Sequence, residues 1–147
     1  VRQVWPERLP LTLRLGVIEY DGRDEQTLGE AIDLGKQFRE AGLDFMSVSL
    51  GFSTPQANIP WGPAFLAPIA ERVRRETGLP VASAWGFGRP DLAENAVQNQ
   101  QLDVVMIGRG HLENPHWPYH AAKSLGLDQP ASVLPSPYSH WLARYAM

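Results

Sequence analysis

Four short apolar runs, each followed by a stretch of helical periodicity, set the plan of this chain. Leu11-Thr-Leu-Arg-Leu-Gly-Val-Ile18 is almost continuously apolar and partly β-branched, which predicts a strand buried on both faces. Asp21-Gly22 breaks it. From Gln26 to Ala41 the residues Leu28, Ala31, Ile32, Leu34, Phe38 and Ala41 recur at helical spacing among charges, and Gly42 closes that helix. Asp44 to Leu50 predicts the second strand. A long loop from Gly51 to Gly62 follows, then a helix from Pro63 to Thr77 stopped by Gly78. Leu79 to Ala84 predicts the third strand, and Trp85-Gly-Phe-Gly88 its glycine-rich exit. Pro90 opens a helix to Gln100. Asp103 to Ile107 is the fourth, short buried strand, and Pro115 to Leu125 the last clear helix. A Pro/Ser-rich tail leads to an amphipathic piece, His140 to Met147.

A β-α order repeated four times, with doubly buried strands, predicts an α/β fold with a parallel sheet wrapped by helices. Four units make either an open doubly wound sheet or part of a barrel, and a full (β/α)8 barrel needs eight units and about 250 residues. The dinucleotide fingerprint is absent, because Gly86 and Gly88 lack a third glycine at the required spacing.

The strand exits carry the candidate chemistry. The fourth strand stops at Gly108-Arg109-Gly110, and the third exits through Ala84-Trp-Gly-Phe-Gly88. Glycine lets a backbone approach an anion closely and leaves its N–H groups free to point at it. Arginine offers a planar fork matched to phosphate oxygens. In barrel enzymes a phosphate often sits on the loops after the last two strands. The alternative is an ordinary βα turn with a solvated arginine, and the residues alone do not separate the two. His116 and His120 are four apart on a predicted helix, but no third ligand is arranged with them, so no metal site is expected. Asp21, Asp24 and Glu25 read as acids at a helix N-terminus.

Composition narrows the function classes. A net charge of -3 over 147 residues argues against a nucleic-acid binder. No apolar run is long enough to span a bilayer, and a cytoplasmic protein is expected. With no cysteine there is no disulfide framework, thiolate metal site or cysteine nucleophile. Thirteen prolines and five tryptophans point to long functional loops. Val1-Arg-Gln-Val-Trp-Pro6 reads as the tail of a helix entering a loop, as though the chain began in mid-structure.

Five separated motifs, in order, carry a family resemblance: Leu11-Thr-Leu-Arg-Leu-Gly-Val-Ile-Glu-Tyr20, Ile59-Pro-Trp-Gly-Pro63, Ser83-Ala-Trp-Gly-Phe-Gly88, Ile107-Gly-Arg109 and Tyr138-Ser-His-Trp-Leu-Ala-Arg-Tyr145. Together they resemble the Old Yellow Enzyme family of FMN-dependent ene-reductases, within it the xenobiotic reductase A type. The resemblance covers essentially the whole chain and corresponds to the C-terminal half of the family's FMN-binding (β/α)8 TIM barrel: residues 1–147 as its last four βα units, with 126–147 as tail.

The resemblance implies an oxidoreductase that takes hydride from NAD(P)H onto FMN and passes it to an α,β-unsaturated carbonyl or a nitro compound. It implies that Arg14 contacts the flavin, that Gly108 and Arg109 bind its phosphate, and that Ala84 and Trp85 lie near flavin and substrate. Gly86 and Gly88, with Phe87 between them, are expected to offer backbone N–H groups to the phosphate. Trp85 is expected to shape the substrate pocket, and Trp141 to enter the pocket of a neighbouring subunit in a homodimer; the plainer readings are a core aromatic and a hydrophobic staple of a terminal helix. The family's anchoring histidine pair, its proton-donating tyrosine and two further flavin contacts lie on strands that this chain lacks. No catalytic residue is therefore expected here, and the chain alone is expected to bind FMN weakly, if at all, without turnover. Two other readings stay open: a phosphate-binding barrel of different chemistry, and a non-catalytic half barrel that needs a complementary chain.

Overall fold

The computed structural model describes residues 1–145. Four strands and six helices follow one another as β1 (Thr12–Ile18), α1 (Asp24–Glu40), β2 (Phe45–Leu50), α2 (Ala67–Thr77), β3 (Val81–Ser83), α3 (Pro90–Gln98), β4 (Val104–Val105), α4 (Arg109–Glu113), α5 (Trp117–Ser124) and α6 (Ser136–Leu142), with a 3-10 turn at Pro130–Val133 before α6. The strands form one parallel sheet in the order β1-β2-β3-β4. Each strand lies beside its predecessor, so the order never reverses. A doubly wound sheet reverses at its switch point; this one does not.

Parallel register places the side chains of paired residues on the same side of the sheet. Leu13, Leu15, Met46, Val48, Val81 and Val105 share one side. There α1 packs on β1, α2 on β2 and β3, and α3 on β4. Val17, Ile32, Met46, Val48, Leu66, Val73, Val81, Phe87 and Leu102 are all 2% exposed or less within this layer. Each such side chain contributes about 1.5–3 kcal/mol of burial free energy. Helix ends are fixed locally. Gly78 takes φ 69° and donates to the Arg74 carbonyl at 2.9 Å, which stops α2. Just before it, Thr77 Oγ1 donates to the Val73 carbonyl at 2.7 Å and accepts from the Leu79 N–H at 3.1 Å. Arg74 and the Val81 N–H both bond the Asp103 carboxylate, at 2.9 and 2.8 Å, pinning the starts of β3 and β4 together.

The other side of the sheet departs from expectation. Thr12, Arg14, Gly16, Phe45, Ser47, Ser49, Ala82 and Val104 share it, and no helix packs there among the described residues. Thr12, Arg14 and Gly16 are exposed, so β1 is not buried on both faces. Nor is the fourth strand buried: Val104 is 47% and Met106 39% exposed. The reason is topological, since successive helices cover one side only and β1 and β4 are both unpaired edges.

Most other differences are of extent. The second helix begins at Ala67, because Ala64 takes φ 52° and prevents an earlier start. The last predicted helix is shorter and preceded by the single turn of α4. Residues 1–5 form one turn, with Trp5 N–H donating to Val1 at 3.1 Å. The predicted piece His140 to Met147 overlaps α6, and residues 146 and 147 lie outside the described residues. Among the described residues, no helix is long and apolar enough to cross a membrane.

Candidate functional site

The carboxyl ends of the strands open into a cleft of about 1320 Å³. Arg14, Ala84, Trp85, Gly86, Gly88, Gly108 and Arg109 all line it. Seven residues singled out along the chain thus meet in one place. Trp141 does not join them: it is 73% exposed on α6, outside the cleft of its own chain.

Arg14 stands on the open side of β1, where its Nη2 donates to Ser49 Oγ at 2.8 Å. It is solvated, not a buried charge. Its partner is a neutral hydroxyl, and no carboxylate pairs with it among the described residues. Arg109 likewise has no ion-pair partner among them; its guanidinium lies over the Trp85 ring, 5.9 Å from the centroid. Arg89, also on the cleft, is committed to Asp91, to which its Nε donates at 3.0 Å. That hydrogen bond raises the arginine pKa and lowers that of the aspartate. The cleft therefore holds two cations without ionic partners and one carboxylate, Glu113.

The glycines divide into two kinds. A Cβ at Gly86 would sit 2.6 Å from both the Ala64 nitrogen and the Gly62 oxygen, and its φ is +78°, so the protein itself requires glycine there. At Gly88 and Gly108 nothing in the protein lies within 4 Å of the Cβ position beyond the adjoining residues, and neither has positive φ. Packing and strain do not explain glycine at these two positions. Both positions leave room for an anion to rest on the backbone, which a methyl group would occupy. Gly108 caps α4, whose first N–H groups have no acceptor within the helix. A phosphate group fits this donor set.

Trp117 was not foreseen. From the start of α5 its Nε1 donates to the Gly88 carbonyl at 2.8 Å, and its ring lies 3.3 Å from the Cβ position of Gly110. It ties the two glycine-rich exits together. Nothing in the helical spacing around it distinguished it from a core tryptophan.

An aromatic wall adjoins the cleft. Trp85 lies 5.4 Å from Trp61 and 5.7 Å from Phe52, ring centre to ring centre, and Trp61 lies 5.5 Å from Phe65. Trp85 takes φ 74° and its buried Nε1–H has no acceptor among the described residues. Left-handed backbone at a non-glycine residue costs on the order of 1–3 kcal/mol and persists only where surroundings impose it. The side chain of Phe87, by contrast, is core. No group of three or more His, Cys, Asp or Glu residues is placed to hold a metal ion among the described residues.

The fold and cleft define an α/β protein with a ligand-sized cleft at the carboxyl ends of parallel strands. Comparison with known proteins narrows this. No family model matches the chain. Over 133 residues, 90% of the chain, it is 37% identical to the NADPH dehydrogenase of Geobacillus thermodenitrificans and 35% identical to that of a second Geobacillus species. Over 127 residues it is 33% identical to the NADPH dehydrogenase of Halalkalibacterium halodurans. The chain spans 38% of the length of the first two and 36% of the third. It is homologous to these NADPH dehydrogenases, and the resemblance to the Old Yellow Enzyme family holds.

Proposed function

We propose that this chain is the C-terminal half of an FMN-binding (β/α)8 barrel, residues 1–147 with 126–147 as tail, and that the complete protein is a cytoplasmic NAD(P)H-dependent ene-reductase. One observation carries the reading most. Gly88 and Gly108, for which the protein offers no packing reason, face the same cleft as Arg109 in a chain homologous to NADPH dehydrogenases. The sequential strand order, the two unpaired edges and the open side of the sheet support the half barrel, since closure would pair both edges and turn that side inward.

In this reading Gly86, Gly88 and Gly108 offer backbone N–H groups to the FMN phosphate, and the Arg109 fork neutralises it. Ala84 leaves room beside the flavin, and Trp85 bounds the substrate pocket. Arg14 places a cation near the ring system, where it favours added negative charge. Bound FMN supplies the two-electron carrier between NAD(P)H and an α,β-unsaturated carbonyl or nitro compound. Trp141 is free to enter the pocket of a second copy in a homodimer. The general acid, the substrate anchor and two further flavin contacts belong to the strands that close the barrel, so the chain alone binds FMN weakly and does not turn over.

Thermal melts with FMN and with ribose 5-phosphate test this. At equal concentration FMN raises the melting temperature more than the sugar phosphate does, since both offer a phosphate but only FMN adds the ring system. The reverse result transfers the cleft to a sugar-phosphate enzyme, and steady NADPH oxidation by the chain alone contradicts the need for a second half.

A further inference from the structure

The exits of β1, β2 and β3 repeat one device. Two residues beyond the end of each strand comes an aromatic residue in left-handed backbone: Tyr20 at φ 58°, Phe52 at φ 58° and Trp85 at φ 74°. The segment between β2 and α2 carries Phe52 and Trp61, the two rings against Trp85. That segment is stapled to both neighbouring exits. Asn58 N–H donates to the Tyr20 carbonyl at 2.7 Å, and Ala64 N–H to the Gly86 carbonyl at 3.3 Å. The third staple is a pair of charge-assisted hydrogen bonds. Glu19 accepts from the Ser53 N–H at 3.0 Å and from Ser53 Oγ at 2.6 Å, one carboxylate oxygen each. It lies so close that a Cβ at Gly51 would fall 1.8 Å from Glu19 Oε1.

These contacts form a continuous path. Glu19 grips Ser53, the residue directly after Phe52; the Phe52 ring meets Trp85; and the Trp85 ring underlies the Arg109 guanidinium. We infer that Glu19 is a positioning residue for the anion site: by clamping Ser53 it holds Phe52 against Trp85 and so fixes the indole on which Arg109 rests. The inference depends on the reading of the cleft as a phosphate site. Glu19 does not line the cleft and acts only through this path. An arginine stacked on a fixed ring presents its fork in one orientation, and losing that support weakens anion binding about two- to fivefold, the range of an exposed cation–π contact.

The test uses two readouts on the chain and its E19Q and S53A variants. Far-UV circular dichroism reports the exciton couplet of Trp61 and Trp85, 5.4 Å apart, with W61F as the control that abolishes it. Calorimetric titration with inorganic phosphate reports the anion site, in the unmodified and R109K backgrounds. Lysine keeps the charge but lacks the planar fork that a fixed ring orients. Both variants are expected to shrink the couplet and raise the phosphate Kd about two- to fivefold, with no such rise in the R109K background. An unchanged couplet, or an equal rise in both backgrounds, overturns the inference. A phosphate Kd unaltered by E19Q in a chain that binds phosphate overturns it alone. Absence of phosphate binding by the unmodified chain overturns the site reading beneath it.

Discussion

The glycine pair at the cleft allows a separation of stability from binding. Replacing Gly108 by alanine puts a methyl group where no protein atom beyond the adjoining residues lies within 4 Å, at φ -96°, which L residues readily adopt. Folding stability should stay within about 0.5 kcal/mol or rise slightly, because alanine restricts the unfolded chain. Binding should not survive so well. A methyl group that keeps the anion off the backbone N–H removes a charge-assisted hydrogen bond worth about 1.5–3 kcal/mol, roughly a 10- to 100-fold weaker Kd for phosphate. Gly88→Ala should behave alike. Gly86→Ala is the opposite case. Its Cβ would meet backbone atoms at 2.6 Å at φ +78°, so strain alone costs on the order of 1–3 kcal/mol. For a chain of this size, each kcal/mol is a fall of about 2–4 °C in melting temperature. Urea unfolding and phosphate titration of the three variants decide the matter. If Gly108→Ala destabilises the chain as much as Gly86→Ala, or binds phosphate normally, glycine there has another cause and the cradle argument fails.

Thr77→Val keeps the shape of a buried residue but removes the acceptor of the Leu79 N–H, and should cost about 1–3 kcal/mol in urea unfolding. Burial works to raise the Asp103 pKa, but hydrogen bonds from Arg74 and Val81 with the Arg74 charge hold it below its ordinary value. Its contribution is thus present above the unfolded pKa of about 3.9 and lost as pH falls through the folded one, so Asp103→Asn should be about 1–2 kcal/mol less stable at pH 7 and converge with the unmodified chain in acid unfolding. Trp117→Phe loses the hydrogen bond to Gly88 and should cost about 1 kcal/mol while weakening phosphate binding measurably in the same titration.

Apolar periodicity located every strand and most helices, because burial against a helical layer leaves the same imprint on sequence wherever it occurs. Val48 and Val81 are buried as their pattern implies. What the pattern cannot express is an uncovered side. Leu13 and Leu15 alternate with Arg14 and Gly16, yet a small or apolar residue suits a sheet that faces either a core or an open cleft, and so β1 and β4 read as doubly buried. Arg14 entered through the resemblance alone, and the structure places it as an exposed cation on an open strand beside the cleft. The glycine exits were legible because the chemistry of anion binding restricts residue type. The aromatic wall was not, although Tyr20, Phe52 and Trp85 share a fixed distance from their strand ends. Extending the third strand to Ala84, one residue too far, hid that spacing. The helix α4 escaped because five residues give no period to read.

A comparison of FMN with riboflavin, by quenching of flavin fluorescence on titration with the chain, tests the central claim most directly. The two share the ring system and differ in the phosphate. If Gly88, Gly108 and Arg109 form a phosphate cradle, FMN binds at least about tenfold more tightly than riboflavin, the difference that one or more charge-assisted hydrogen bonds supplies. Equal affinity for the two, or tighter binding of riboflavin, would contradict the account.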